Sequence, residues 1–95
     1  MKQSWIYITT NKPHGVLYTG MTADLKNRIF NHKTKKYNNS FTAKFNCDKL
    51  VYYEIFDDIN QAYAREKQLK AGSGAKKIKL IESLNPQWLD LFDSL

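Results

Sequence analysis

Cysteine is almost missing from these 95 residues. Cys47 stands alone, so no internal disulfide can form and no thiolate pair can begin a zinc ribbon. A half-buried structural thiol is expected there. The two histidines, His14 and His32, show no ligand spacing with each other or with Cys47, which disfavours zinc. Long apolar runs are lacking too, since no stretch approaches the roughly 18 residues of a membrane span. Met1-Lys2-Gln3-Ser4-Trp5 leads into strand-like sequence without the apolar run of a secretory signal, and a cytoplasmic location is the matching expectation. No phosphate-cradling glycine loop occurs, because Gly72-Ser73-Gly74 follows no strand and lacks the Gly-Lys-Ser/Thr ending. A serine or cysteine nucleophile has neither an elbow motif nor a paired base. Repeats, linkers and low-complexity segments are absent, and the length allows one domain over residues 1–95.

What is present is 42% hydrophobic and 14% aromatic, too much for a disordered basic tail. The 15 Lys and Arg against 9 Asp and Glu leave a net charge of +6, unevenly spread. Residues 80–95 hold Glu82, Asp90 and Asp93 and no Lys or Arg, which leaves residues 1–79 at +9. Cations cluster at Lys33-Thr34-Lys35-Lys36-Tyr37, Arg65 to Lys70 and Ala75 to Lys79. Such a field steers a domain toward polyphosphate, though lysines also keep small surfaces soluble. On the nucleic-acid reading Lys26, Lys33, Lys35, Lys36, Lys70, Lys76 and Lys77 are the candidate backbone contacts.

Trp5 to Thr9 and Gly15 to Gly20 are short β-branched and aromatic runs, and Asn11-Lys12-Pro13-His14-Gly15 between them carries turn chemistry. They predict a β-hairpin. Thr22 as N-cap, Asp24 in the first turn and Leu25 with Ile29 predict a first helix over about Ala23 to Lys33. Arg28 and His32 then project together at i, i+4. Thr34 to Ser40 reads as a loop before a third strand, Leu50 to Phe56. Asp57 to Asn60 caps a second helix over about Gln61 to Ala71, and a third follows Ser73. Asn85-Pro86 is expected to be N-cap and N1 of a last turn whose Trp88, Leu89 and Phe92 close the core. The order is β-β-α-β-α-α-α, an α+β fold.

The second helix carries the most telling pattern. Ile59, Ala62, Glu66 and Leu69 follow a core-facing rhythm, yet the third member is a carboxylate, costly there unless a cation or donors meet it. Glu66 could instead pair with Lys70 or Lys67 on its own helix. With the strands paired and no bulge, Tyr7 and Tyr18 share a sheet face, and Gly15 and Gly20 leave room for close backbone approach. A phenol can prepare water, a guanidinium can neutralise phosphate and a carboxylate can hold a divalent ion, so Tyr7, Tyr18, Arg28, His32 and Glu66 together fit metal-assisted phosphodiester hydrolysis. Each also has a duller explanation: strand tyrosines pack, Arg28 and His32 could be a solvated helix face, and His14 in its turn is read as solvated.

Trp5-Ile6-Tyr7, ten residues, Tyr18-Thr19-Gly20, then Asp24-Leu25, Arg28 and His32, with Glu66 on a later helix and Asn85-Pro86, resemble the GIY-YIG nuclease superfamily. The likeness is to its small stand-alone branch, which is similar to the N-terminal nuclease domain found in excinuclease ABC. Tyr18 to Thr22, Leu50 to Glu54 and Lys77 to Ile81 carry that likeness. The resemblance implies a short antiparallel three-stranded sheet flanked by helices. It implies an endonuclease cleaving DNA, or nucleic acid more broadly including RNA, with one Mg²⁺ or Mn²⁺. Matched by position, Glu66 is the metal ligand, Arg28 the phosphate-stabilising arginine, and Tyr7 or Tyr18 the base or water-orienting group. His32 supports the water or a phosphate, with Gly20 and Asn85 bracing from behind.

Two positions depart from the pattern: Trp5 replaces glycine and could crowd the hairpin, and Thr19 replaces isoleucine. Family members with specific targets carry a further DNA-binding domain for which 95 residues leave no room. The expectation is weak or structure-selective activity in DNA repair or processing, or dependence on a protein partner or homodimer. The alternative is a non-catalytic nucleic-acid-binding module, and a third reading makes the Trp88/Phe92 end a partner-binding surface.

Overall fold

A computed structural model describes residues 3–36 and 40–95 of the chain. The expected cation cluster and loop after the first helix therefore fall partly, at Tyr37, Asn38 and Asn39, outside the described residues. Three antiparallel strands, β1 (Ser4–Thr10), β2 (Leu17–Thr22) and β3 (Lys49–Phe56), form a sheet in the order β2-β1-β3. Around it lie α1 (Leu25–Thr34), the single turn α2 (Phe41–Lys44), α3 (Ile59–Ala71) and α4 (Gly74–Leu84), followed by a 3₁₀ turn at Leu91–Ser94. This is the expected α+β sheet with flanking helices.

Strand alternation gives the sheet two covered faces. Ile6 and Ile8 point one way and pack with Tyr52, Ala62 and Leu69 of α3, Ile81 of α4 and Trp88. Tyr7 points the other way and packs with Leu25 and Ile29 of α1 and with Leu50, the 3₁₀ turn covering the rest. Each fully buried aliphatic side chain contributes about 1.5–3 kcal/mol, so a strand buried on both faces anchors two small cores at once. Trp5 pairs with Thr22 in unbroken hairpin register and packs beside Tyr7, so the crowding expected of it does not occur. The one register irregularity lies on the other edge of β1, between Ile8 and Thr9 against β3.

Several boundaries differ from the reading of the sequence. Asp24, not Thr22, caps α1, its Oδ1 accepting the amide of Asn27 at 3.2 Å, while Thr22 closes β2 and its Oγ1 accepts from the amide of Asp24. The helix α2 was unforeseen: Ser40 caps it by accepting the amide of Ala43 at 3.2 Å, but one turn is too short to show a period. Ile59 is 51% exposed, so the inward stripe of α3 is Ala62 and Leu69, with Glu66 half-buried between them. Cys47 is fully buried rather than half-buried.

Asn85 ends α4 and also opens the expected turn after it, its carbonyl accepting the amide of Trp88 at 3.0 Å. Its amide donates to the carbonyls of Val51 at 3.1 Å and Leu89 at 2.9 Å, and its Oδ1 accepts from the Leu89 amide. It therefore ties the chain after α4 to β3. Trp88 is buried in the core and donates Nε1–H to Glu82 at 2.9 Å, whereas Leu89, expected inward, is 58% exposed. His14 is not simply solvated, for its ring lies 5.0 Å from that of Trp88 and its Nε2 is 3.1 Å from Glu82. Among the described residues no helix is long and apolar enough to cross a membrane.

Candidate active site

The hairpin places the two motif tyrosines. Tyr7 pairs across the strands with Gly20 and Tyr18 with Thr9, so both phenols rise from one face with ring centroids 6.2 Å apart. Gly20 is what makes room for Tyr7. A β-carbon there would stand 2.5 Å from the Tyr7 hydroxyl and 2.6 Å from its ring, closer than any side chain tolerates. The motif glycine thus serves the phenol opposite it, which fully buries Tyr7 over the bare backbone of β2.

From α1, one turn apart, come Arg28 and His32. His32 Nε2 lies 3.0 Å from the Tyr7 hydroxyl, and His32 Nδ1 lies 2.9 Å from the hydroxyl of Thr42 on α2. Tyr18, Arg28 and His32 line one cavity with Asn31, Lys35, Ser40, Phe41 and Thr42, about 200 Å³ in volume. Four of the five candidate residues, Tyr7, Tyr18, Arg28 and His32, are therefore brought together by β1, β2 and α1.

Glu66 approaches differently. Its side chain is 20% exposed, and its carboxylate pairs with Lys70 at 3.3 Å on the same helix, the duller partner foreseen from the sequence. It does not line the cavity, yet its charge reaches Tyr7 and contributes to holding that phenol protonated. Glu66 sits within electrostatic reach of the cluster and already holds a cation.

Burial and then the nearby Tyr18 push Tyr7 well above the usual phenol range, against the pull of the Arg28 guanidinium. Burial, and next Arg28, lower His32 to about 4. At neutral pH the pair is thus a protonated phenol against a neutral imidazole. One offers an O–H, the other a lone pair, and neither carries charge until a reaction moves a proton.

Among the described residues no three His, Cys, Asp or Glu side chains converge as a ligand group. A metal needing a full protein cage, such as structural zinc, does not fit. A lone half-buried carboxylate does fit Mg²⁺ or Mn²⁺, which keep several waters and take further ligands from substrate phosphate.

The candidate phosphate contacts are scattered. Lys33 is withdrawn from that role, since its ammonium donates to the Asp48 carbonyl at 2.9 Å and to the Asp90 carboxylate, and lies over the Phe92 ring. It clamps α1 to the chain before the 3₁₀ turn. Lys35 lines the cavity while donating to Asn46 at 2.7 Å. Lys36 follows it, its amide bonded to the carbonyl of Asn31. Lys26 borders a separate shallow hollow with Phe30 and Phe92. Lys76 and Lys77 line a hollow between α3 and α4, and Lys70 meets Glu66. Asn85 braces Val51 and Leu89, none of them in the cluster, so it is not the expected support behind the site. Glu54, within the Leu50 to Glu54 stretch, holds Arg65 through three contacts of 2.9 to 3.2 Å and accepts from Tyr52, a structural knot on the opposite sheet face.

Sequence reasoning missed Thr42, Phe41 and Phe45. Phe41 and Phe45 are each nearly half exposed, with ring centroids 4.7 Å apart, and Phe41 lies 5.8 Å from Tyr18 at the cavity mouth. The capping serine at 40 was the one local signal for the helix that presents them.

A three-stranded sheet with paired tyrosines, and an arginine and histidine delivered by the following helix, defines a nuclease-type site. The chain matches the model of the GIY-YIG catalytic domain over residues 3–79, and it belongs to the GIY-YIG family. It is 33% identical over 87 residues to a UPF0213 protein of Syntrophus aciditrophicus, covering 92% of this chain and 98% of that one. It is 40% identical over 85 residues to UPF0213 protein SSP2268 of Staphylococcus saprophyticus, covering 85% and 96%. A third relative, UPF0213 protein CPE1444 of Clostridium perfringens, is 36% identical over 84 residues, 84% of each chain. No solved structure matches. Membership implies nuclease-type function and nucleic acid as the binding partner.

Proposed function

We propose that the protein is a metal-dependent endonuclease that hydrolyses phosphodiester bonds in DNA and favours substrates with unpaired bases. The observation that carries this reading is the Tyr7–His32 pair with Arg28 beside it, a coupled donor and acceptor next to a guanidinium of the kind that can take a phosphate. Arg28 holds the scissile phosphate through its paired donors. The Tyr7 hydroxyl is closed to solvent in the free protein. In this proposal the bound phosphate therefore brings the attacking water in from the cavity beside it, and Tyr7 receives a proton from that water as its own passes to His32 Nε2. The new P–O bond forms, the old one breaks, and solvent protonates the leaving oxygen. His32 then returns its proton to water. Tyr7 is assigned this task over Tyr18 because it is the phenol with a base within hydrogen-bond distance. Glu66 would hold the Mg²⁺ or Mn²⁺, which when bound neutralises charge on the phosphate and the departing oxygen.

The preference for unpaired bases rests on Phe41 and Phe45. Exposed rings beside a cavity carrying Arg28 and Lys35 make a stacking platform, and stacking on an aromatic contributes about 1–3 kcal/mol per base where the base is free of its duplex. The test is a nicking assay on single-stranded, flap, branched and plasmid DNA with Mg²⁺ or Mn²⁺, run beside Glu66→Ala and Arg28→Ala. Each variant is expected to lose about 100-fold or more in rate while keeping its circular dichroism. Undiminished cleavage by both would sink the reading.

A further inference from the structure

A neutral imidazole between two hydroxyls can be wired in either direction, and the direction decides which nitrogen is the base. His32 Nε2 faces the Tyr7 hydroxyl at 3.0 Å and Nδ1 faces the Thr42 hydroxyl at 2.9 Å. Counting donors and acceptors resolves the choice. Tyr7 is fully buried, and the hydrogen bond its hydroxyl makes among the described residues is the one to His32 Nε2. The phenol proton therefore needs an acceptor, and the nitrogen beside it is His32 Nε2. If Nε2 carried the hydrogen it would donate to the Tyr7 oxygen, and the buried O–H would be left unpaired.

With Nε2 as acceptor, Nδ1 carries the hydrogen and donates to Thr42. Thr42 in turn stands 3.1 Å from the hydroxyl of Ser40, which can take its proton. The chain from Tyr7 through His32 and Thr42 to Ser40 then runs in one direction. Thr42 is itself held from both sides. Its side chain is buried on α2, and its carbonyl accepts the amide of the fully buried Cys47 at 2.8 Å.

We propose that Thr42 is a positioning residue that fixes His32 in the Nδ1–H tautomer, so that Nε2 faces Tyr7 with a lone pair and takes the proton Tyr7 gives up. α2 is then the element that sets the polarity of the site. The inference deepens the nuclease reading and rests on it for its catalytic part.

The test has two arms. Long-range proton–nitrogen correlation spectra of the imidazole ring, on the full chain at neutral pH, report which nitrogen is protonated. Wild-type His32 is expected to show a protonated Nδ1 and a bare Nε2. In Thr42→Val the ring should shift to a mixture of tautomers or to Nε2–H. Thr42→Ser should restore the wild-type spectrum. The second arm is Mg²⁺-dependent nicking: Thr42→Val should lose about 10- to 100-fold in kcat with KM little changed, the range seen when a partner orienting an imidazole is removed. Thr42→Ser should recover it. A wild-type ring protonated on Nε2 overturns the proposal, as does a Thr42→Val ring or a Thr42→Val rate that matches wild type. If Thr42→Val fails to fold, Thr42→Ala removes the hydroxyl without adding bulk, and the wild-type spectrum decides regardless. If the wild type cleaves nothing, the nuclease reading fails alone, and the spectra still settle what Thr42 does.

Discussion

The hydroxyl of Tyr7 and Nε2 of His32 lie 3.0 Å apart although 25 residues separate them in the chain. β1 supplies the phenol and α1 the imidazole, and both are buried enough to stay uncharged at neutral pH. Tyr7→Phe keeps the ring that packs on Leu25, Ile29 and Leu50 and deletes only the oxygen. Cleavage is expected to fall by about 100- to 10,000-fold, as for loss of a general acid–base group. Thermal unfolding should change little. Single-turnover rates beside a melting curve check both, and an unchanged rate would remove Tyr7 from the chemistry.

Gly20→Ala tests the space under the phenol. The added methyl would meet the Tyr7 hydroxyl at 2.5 Å, and the buried ring cannot swing aside without disturbing its core. We expect a loss of about 1–3 kcal/mol in stability, the usual cost of forced packing. Cleavage should fall as well, because the Tyr7–His32 distance cannot be kept. A urea titration showing wild-type stability would mean that the strand yields more easily than its pairing implies.

The depressed titration of His32 makes stability depend on pH with a definite sign. Folded, it titrates near 4, against an ordinary value near 6.5. As pH falls below 6.5 the unfolded chain takes up a proton that the fold refuses, so this contribution is full above 6.5, shrinks toward about 4 and then levels. Urea midpoints measured across that window should decline with falling pH in the wild type. In His32→Gln that part of the slope should vanish. Parallel curves for the two proteins would contradict a buried neutral imidazole.

Lys33 and Lys77 are both candidates by charge, but their surroundings assign them different work. Lys33 is tied to Asp48 and Asp90, so Lys33→Ala should lower the melting temperature. Lys77 borders the hollow between α3 and α4. Lys77→Ala should leave the melting temperature alone and reduce the salt slope of DNA binding by about one. Fluorescence anisotropy over a salt series separates the two, and a lowered slope for Lys33→Ala alone would invert the assignment.

Local chemistry was enough to read the hairpin, β3 and the three longer helices. Alternating β-branched residues, turn residues at Asn11 to Gly15, and caps at Asp58 and Ser73 act over a few residues and need no partner. The placing of Arg28 beside His32 was legible for the same reason, since helical spacing alone puts them on one face. Glu66 was singled out by a period in which a carboxylate replaced an apolar residue, although the stripe proved shorter than expected at Ile59. A one-turn helix has no period to read, so α2, and with it Thr42 and the Phe41–Phe45 pair, left almost no trace in the sequence.

The remaining facts are contacts between segments distant in the chain. That Asn85 ties α4 to β3, that Lys33 is spent on Asp48 and Asp90, that Glu82 serves both His14 and Trp88, and that His32 is held between Tyr7 and Thr42 all depend on how the layers stack. Propensity and spacing are local energies of a few tenths of a kcal/mol to about 1 kcal/mol per residue, and they choose elements. Burial is shared between elements, and it decides which polar groups lose water and must find one another. In this protein the residues alone specified the strands, the three longer helices and the family. Desolvation in the folded chain selected which phenol meets the imidazole, and the stacking of the layers tied Lys33 to Asp48 and Asp90.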